Sequence, residues 1–193
     1  QEASPYALIE ASYGPQVLWP DHCIQGTGGA DFHSDLETKN ADLIMRKGFR
    51  PAIDSYSAFQ ENDRQTSTGL AGYLRDRGIE HITLCGLALD FCVKWSALDA
   101  VANGFGATVL TDACRAIDLD GSKAAANSEM AAAGITLVVS HLAETAFWAA
   151  LDHFGGRVIA THNCCRALCE GDRQLDDAQI QAMIGRQGVI GTA

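Results

Sequence analysis

Cys92 stands where a cysteine can serve as a nucleophile. It lies in His81 to Asn103, HITLCGLALDFCVKWSALDAVAN, where an apolar run (Ile82, Leu84, Leu87) is closed by a small-residue turn. Val93, Ala97, Leu98 and Val101 then recur at helical spacing, a strand, turn and helix in succession. The start of a helix offers open N–H groups and the positive end of its dipole, which favour a thiolate. Ligands of open α/β sheets gather at the carboxyl ends of the strands. The other reading of Cys92 is a buried apolar group among small residues. Lys47, with Gly48, closes Asp42 to Arg46 (DLIMR), read as a short strand, so its amine points to the same crevice. An ammonium beside a thiol favours the reactive anion; a solvated surface lysine is the alternative. His22, in WPDHCIQGTGGADFH with Trp19 and Cys23, is a metal ligand, a general base or a solvent-facing loop histidine.

The elements that must position these groups follow from periodicity. Residues 1 to 38, with Pro5, Gly14, Pro15, Pro20, Gly26, Gly28 and Gly29, read as a long loop. A helix is predicted over Gly69 to Arg77 with Gly78 as its stop, and a strand over Ala107 to Thr111. Asp120 to Ala133 follows as a helix with an Asp or Ser cap, and Ile135 to Val139 as a strand. Alternating helices and buried-type strands imply a parallel sheet with right-handed crossovers, a three-layer αβα domain. After Ser140 a further helix carries Phe147, Leu151 and Phe154. Then come a strand, RVIAT, ending at His162, a helix opened by an Asp176/Gln179 capping box, and a last strand, VIGTA.

The 193 residues are 47% hydrophobic and 20% charged, enough for one good core. A net charge of −10 disfavours nucleic acid or an anionic membrane as the main partner. No apolar run approaches a membrane span, and the first residues lack the blocks of a signal peptide. Seven scattered cysteines without CxxC spacing point to reduced thiols in a cytoplasm. Oligomeric state is not legible.

Four blocks, LWPDHCIQGTGGADFH, MRKGFRPAIDSYSAF, CGLALDFCVKWSALDAV and VLTDACRAI, resemble the nicotinamidase and pyrazinamidase group of the isochorismatase-like hydrolases over residues 1–139. The resemblance implies a cysteine-dependent amide hydrolase of NAD metabolism and pyridine nucleotide salvage, acting on nicotinamide or a related small carboxamide. Cys92 matches the attacking cysteine and Lys47 the lysine that holds the thiolate. Leu87 and Ala88 fall in the turn that carries a cis peptide and the oxyanion-binding N–H groups. Trp19 matches an aromatic that packs on the pyridine ring, and Tyr56 lies in a pocket-side block. His22 matches one ligand of a divalent metal, zinc, iron or manganese, that grips the ring nitrogen. The general-base aspartate and the other metal ligands belong to a DxQxDF-like and a DxHxxxxxH-like block, and neither occurs in this sequence. The expectation is an incomplete domain lacking its first strand, impaired in releasing ammonia from nicotinamide and prone to poor solubility through unpaired sheet edges.

Residues 140–193 are similar instead to the membrane (renal) dipeptidase family of zinc-dependent barrel peptidases, whose pattern runs SHLS…FW…PVIASHSNCRAL…RNLTDEQI…GGVIG. His141 and His162 match two zinc-binding histidines and Arg173 a substrate-carboxylate arginine. The tail is thus expected to form a β/α fragment of a TIM-type barrel. Without the family's HxD pair and bridging glutamate, metal binding there is expected to be weak. Both ends look cut, and the expected explanation is a chimeric or partial reading frame joined near Val139 to His141. Three functions are carried forward: an amidase, a zinc metallopeptidase fragment and a non-catalytic α/β module.

Overall fold

The computed structural model describes residues 4–192. Its first element corrects the expected loop. β1 (Leu8–Ala11) and β2 (Gly14–Val17) form an antiparallel hairpin in the register Leu8 to Val17 and Ala11 to Gly14. Gly14 takes φ 116°, a conformation open to glycine, and so closes the two-residue turn after Ser12 and Tyr13. Glycine and proline there mark a turn between strands, and Pro15 is tolerated because the ribbon has two edges.

Residues 18 to 69 run without a regular strand. The stretch Asp42 to Arg46, predicted as a strand, is irregular and mostly exposed, with Leu43 and Ile44 facing outward. Among the described residues no strand pairs with it to complete its backbone hydrogen bonds. The predicted helix forms as α1 (Leu70–Asp76) and ends at Gly78, whose N–H donates to the Arg75 carbonyl.

A five-stranded parallel sheet follows: β3 (His81–Leu87), β4 (Gly106–Arg115), β5 (Thr136–Val138), β6 (Arg157–Ala160) and β7 (Val189–Ile190), side by side in that order. The expectation of an α/β fold with a parallel sheet holds. Each strand is joined to the next through α2 (Lys94–Ala102), α3 (Ser122–Ala132), α4 (Glu144–His153) and α5 (Asp177–Gly185). α2 contacts α3 and α3 contacts α4. The expected side-chain cap of α3 does not form: Gly121, at φ 82°, occupies the N-cap position. The capping box of α5 forms as predicted, with Asp176 accepting from the Gln179 amide and the Gln179 side chain accepting from the Asp176 amide.

One apolar cluster holds the layers together. It takes Ala97 and Ala100 from α2, Val109 from β4, Met130 from α3, Leu137 from β5, Phe147 from α4, Val158 from β6 and Met183 from α5. Each large side chain buried here contributes about 1.5–3 kcal/mol. The residues beyond 140 therefore share a sheet and a core with those before it: β6 pairs with β5, Val138 against Ile159. The other face of β3 is open, with His81, Thr83, Cys85 and Leu87 exposed in alternation. Among the described residues no helix is long and apolar enough to cross a membrane.

Candidate active site

The site is built where β3 ends. A cis peptide bond joins Leu87 and Ala88, at the turn picked out from the sequence. Leu89–Val93 then winds as a wide π-helical turn, in which the Ala88 carbonyl accepts from both the Phe91 and Val93 amides, and α2 continues from Lys94. Cys92 sits in this turn, half-buried, just ahead of α2. The segment is pinned from below by Asp90. Its buried carboxylate accepts from the Ile117 amide (3.0 Å), the Asp118 amide (2.8 Å) and the Ser122 hydroxyl (2.6 Å). Burial pushes the Asp90 carboxyl up, but these three donors outweigh it and hold the group below the usual carboxylate range.

Lys47 reaches Cys92 although the strand expected to deliver it is absent. Its Nζ lies 3.6 Å from Cys92 Sγ and also donates to the Ser55 carbonyl, so a loop contact aims the amine. Among the described residues, Lys47 is the one polar side chain in hydrogen-bonding distance of the sulfur. The loop is tied to α2 in turn, since the Ala58 amide donates to Ser96 Oγ (2.9 Å) and Ser96 Oγ donates to the Cys92 carbonyl (2.7 Å).

Three aromatic rings cluster around Phe91, the residue before Cys92. Phe91 meets Trp19 edge-on with centroids 4.7 Å apart, and Tyr56 lies 5.7 Å from Phe91 and 6.4 Å from Trp19. Trp19 and Tyr56 are thus brought together, as their assignment to one pocket requires. The Trp19 indole donates to the Tyr56 hydroxyl at 3.0 Å, and Gln16 Nε2 reaches the same oxygen at 2.8 Å. Burial raises the Tyr56 hydroxyl above its ordinary value. The Trp19 and Gln16 donors oppose that rise, and the charges of Asp54 and Cys92 add to it. Phe91 and Gln16 were missed in the sequence. Phe91 is legible in hindsight as the neighbour of the nucleophile, whereas Gln16 lay in what read as loop.

His22 does not join this cluster. It is exposed, with Nδ1 against the Pro20 carbonyl at 2.7 Å. Among the described residues no three His, Cys, Asp or Glu side chains group to hold a metal ion. A divalent cation needs several protein donors in one shell, so His22 alone does not fit one.

The tail carries a second constellation. His141 and His162 lie in the loops just beyond β5 and β6, and their Nε2 atoms meet at 2.5 Å, one ring donating and the other accepting. Thr161 Oγ1 contacts His162 Nδ1 at 2.8 Å, while His141 Nδ1 is buried without a partner among the described residues. Arg173 is exposed, and its carbonyl accepts from the Asn163 side chain. Among the described residues no disulfide is formed.

The isochorismatase domain family matches residues 11–141, and the membrane dipeptidase family (Peptidase family M19) matches residues 124–193. The nicotinamidase of Acinetobacter baylyi is 54% identical over 136 residues, covering 70% of this chain and 64% of that protein. Among solved structures, a nicotinamidase of Acinetobacter baumanii superposes with a TM-score of 0.69 at 54% identity, over 70% of this chain and 66% of that one. The pyrazinamidase of Pyrococcus horikoshii, in complex with zinc, gives 0.51 at 35% identity, over 62% of each chain. The chain thus spans just under two thirds of the length of these relatives. The match over the blocks that carry Trp19, Lys47, Tyr56 and Cys92 shows that the chain belongs to the isochorismatase domain family.

Proposed function

We propose that residues 1–139 form the site of a cysteine-dependent amide hydrolase that takes nicotinamide or a closely related heteroaromatic carboxamide. The observation that carries this reading is the 3.6 Å approach of Lys47 Nζ to Cys92 Sγ at the carboxyl end of β3. The Cys92 thiolate attacks the carboxamide carbon, and the N–H groups of the Leu87–Ala88 turn receive the oxygen as it becomes anionic. The C–N bond breaks with protonation of the nitrogen, ammonia leaves, and water hydrolyses the thioester to the carboxylic acid, returning the thiol. Trp19, Phe91 and Tyr56 wall the ring.

The proton that moves from sulfur to departing ammonia needs a carrier. Among the described residues no carboxylate lies within hydrogen-bonding distance of Cys92, and Asp90 is committed to Ile117, Asp118 and Ser122. Turnover by this chain is accordingly impaired. The zinc of the Pyrococcus relative suggests a divalent metal, but His22 supplies a single donor, and no step here is routed through one. A cytoplasmic place in pyridine nucleotide salvage goes with this reading.

The test is the reaction of Cys92 with pyridine-3-carbaldehyde, whose carbonyl a thiolate adds to reversibly, together with ammonia release from nicotinamide. An adduct lost in Cys92→Ala, with slow turnover at most, is expected. An aldehyde that adds equally to Cys92→Ala overturns the assignment and leaves a non-catalytic α/β module.

A second reading, a zinc metallopeptidase fragment over residues 140–193, is favoured by the facing Nε2 atoms of His141 and His162. Two imidazoles are half of a zinc shell, and the weak affinity expected of them keeps this reading second.

A further inference from the structure

A cavity of about 300 Å³ lies beside the carboxyl end of β4, between α3 and α4. It shares no residue with the aromatic wall or with the Lys47–Cys92 pair. Residues on both sides of position 140 close it, Leu89, Asn127 and Leu137 from one and His141, Leu142 and Ala146 from the other. The volume stands at the small end of the range for ligand pockets, so the occupant it suits is a small molecule.

Asn127 on α3 lines this cavity and is 3% exposed, yet its Oδ1 has no hydrogen-bond partner among the described residues. A buried amide left unpaired is costly, so the position calls for a polar group from outside the chain. His141 repeats the pattern: its Nδ1 is buried and unpartnered among the described residues, while its Nε2 faces His162. No neighbour fixes which end of the Asn127 amide points inward. When His162 donates across the Nε2 contact, the His141 proton sits on Nδ1. Both groups are then able to donate.

The charges around the cavity select a negative acceptor. Lys123 and Arg115 line it, and among the described residues neither forms an ion pair. Arg115 Nη1 donates to the Asp112 carbonyl at 3.0 Å and to the Cys114 carbonyl at 2.6 Å, which anchors the guanidinium and leaves its Nε and Nη2 hydrogens over. α4 starts beside them with Ala143 as its N-cap and no side chain capping its amides, so its positive end adds to the field. Against these stands the Asp112 carboxylate, and Glu144 in the first turn of α4 is engaged by Arg166. Leu89, Leu137 and Ala150 make the rest of the lining apolar.

We propose that this cavity binds a small monocarboxylate with an apolar body, its carboxylate met by Lys123, Arg115 and the Asn127 amide and its body lodged against Leu89, Leu137 and Ala150. The site is separate from the amidase reading, and its test reads binding without turnover, so each can fail alone.

The probe is 3-methylbutanoate, titrated into the full chain without added metal. 3-Methylbutanamide serves as the neutral molecule of the same shape, and benzoate as a flat-bodied acid. Protein NMR reads the Asn127 side-chain amide and the His141 ring. Both signals are expected to shift together and to saturate with at least one of the acids, while the neutral amide binds about tenfold more weakly for want of the charge. Lys123→Met is expected to weaken acid binding about five- to tenfold, and Lys123→Arg to restore most of it. Ala146→Phe, which fills the cavity from α4, is expected to abolish the shifts, and Ala146→Leu replaces it should that variant not fold.

Shifts that never saturate mean that solvent fills the cavity, and they overturn the proposal. Equal binding of acid and neutral amide, or an unchanged affinity in Lys123→Met, overturns the carboxylate. A full response in the cavity-filling variant overturns the location.

Discussion

Lys47 Nζ and Cys92 Sγ, 45 residues apart in the chain, stand 3.6 Å from each other, and the Ser55 carbonyl holds the amine in place. An amine at that distance can hold the sulfur in place and meet charge that develops there during attack. Lys47→Met is expected to slow alkylation of Cys92 by iodoacetamide about five- to tenfold at neutral pH, with little effect on folding, because the amine is not part of the core. Peptide mapping by mass spectrometry reads Cys92 apart from the other thiols, and an unchanged rate would remove the physical basis of the nucleophile.

Asp90 links the nucleophile turn to the start of α3. Its carboxyl is held below the usual range in the folded chain, whereas an unperturbed Asp, as in the unfolded chain, titrates at about 3.9. Its stabilising contribution is therefore complete above that value and is lost as pH falls through the lower folded one. Asp90→Asn is expected to cost about 2 kcal/mol at neutral pH, since an amide cannot satisfy three donors as a carboxylate does. The gap to the parent chain should close in acid, as urea denaturation at stepped pH would reveal.

Asp99 is fully buried on α2 and is held by Arg64 at 2.6 Å and by Gln60 at 3.1 Å. The Arg64 guanidinium also stacks over Trp95, 4.9 Å from its centroid. Arg64→Ala leaves a buried carboxylate with Gln60 as its remaining side-chain donor. We expect a loss of about 2 kcal/mol, below the 3–5 kcal/mol of a wholly buried pair because Arg64 itself is half exposed. Arg64→Ala combined with Asp99→Asn should recover part of that loss in chemical denaturation. Recovery of none of it would mean that the stack on Trp95, and not the ion pair, holds this loop to α2.

Added zinc should shift the ring-proton NMR signals of His141 and His162 together, because both Nε2 atoms face one point. Binding is expected to be far weaker than at a four-ligand structural site and to vanish in His162→Ala. Tight binding that survives this change would point to donors other than the facing pair.

Much of the site was legible from local pattern. The apolar alternation of β3, its small-residue turn and the helical spacing after it placed Cys92 within a residue or two of where it stands. The Asp176/Gln179 capping box was read correctly from two residues. The errors lie where pairing over distance decides. The hairpin Leu8–Val17 looked like loop because turn residues dominate it, and Asp42 to Arg46 looked like a strand but has no partner to complete its hydrogen bonds. Lys47 arrives at Cys92 through a carbonyl contact, which no spacing rule anticipates.

By itself the sequence determined the side chains available for chemistry, the periods that make β3, α2 and α5, and the blocks that mark the family, because these depend on neighbours a few residues apart. Only the tertiary structure decided that β6 and β7 extend the same sheet, that Gln16 and Trp19 meet at the Tyr56 hydroxyl, and that two histidines 21 residues apart face one another. Those outcomes depend on which segments close on each other when the shared core is buried, and that choice is made by the chain as a whole.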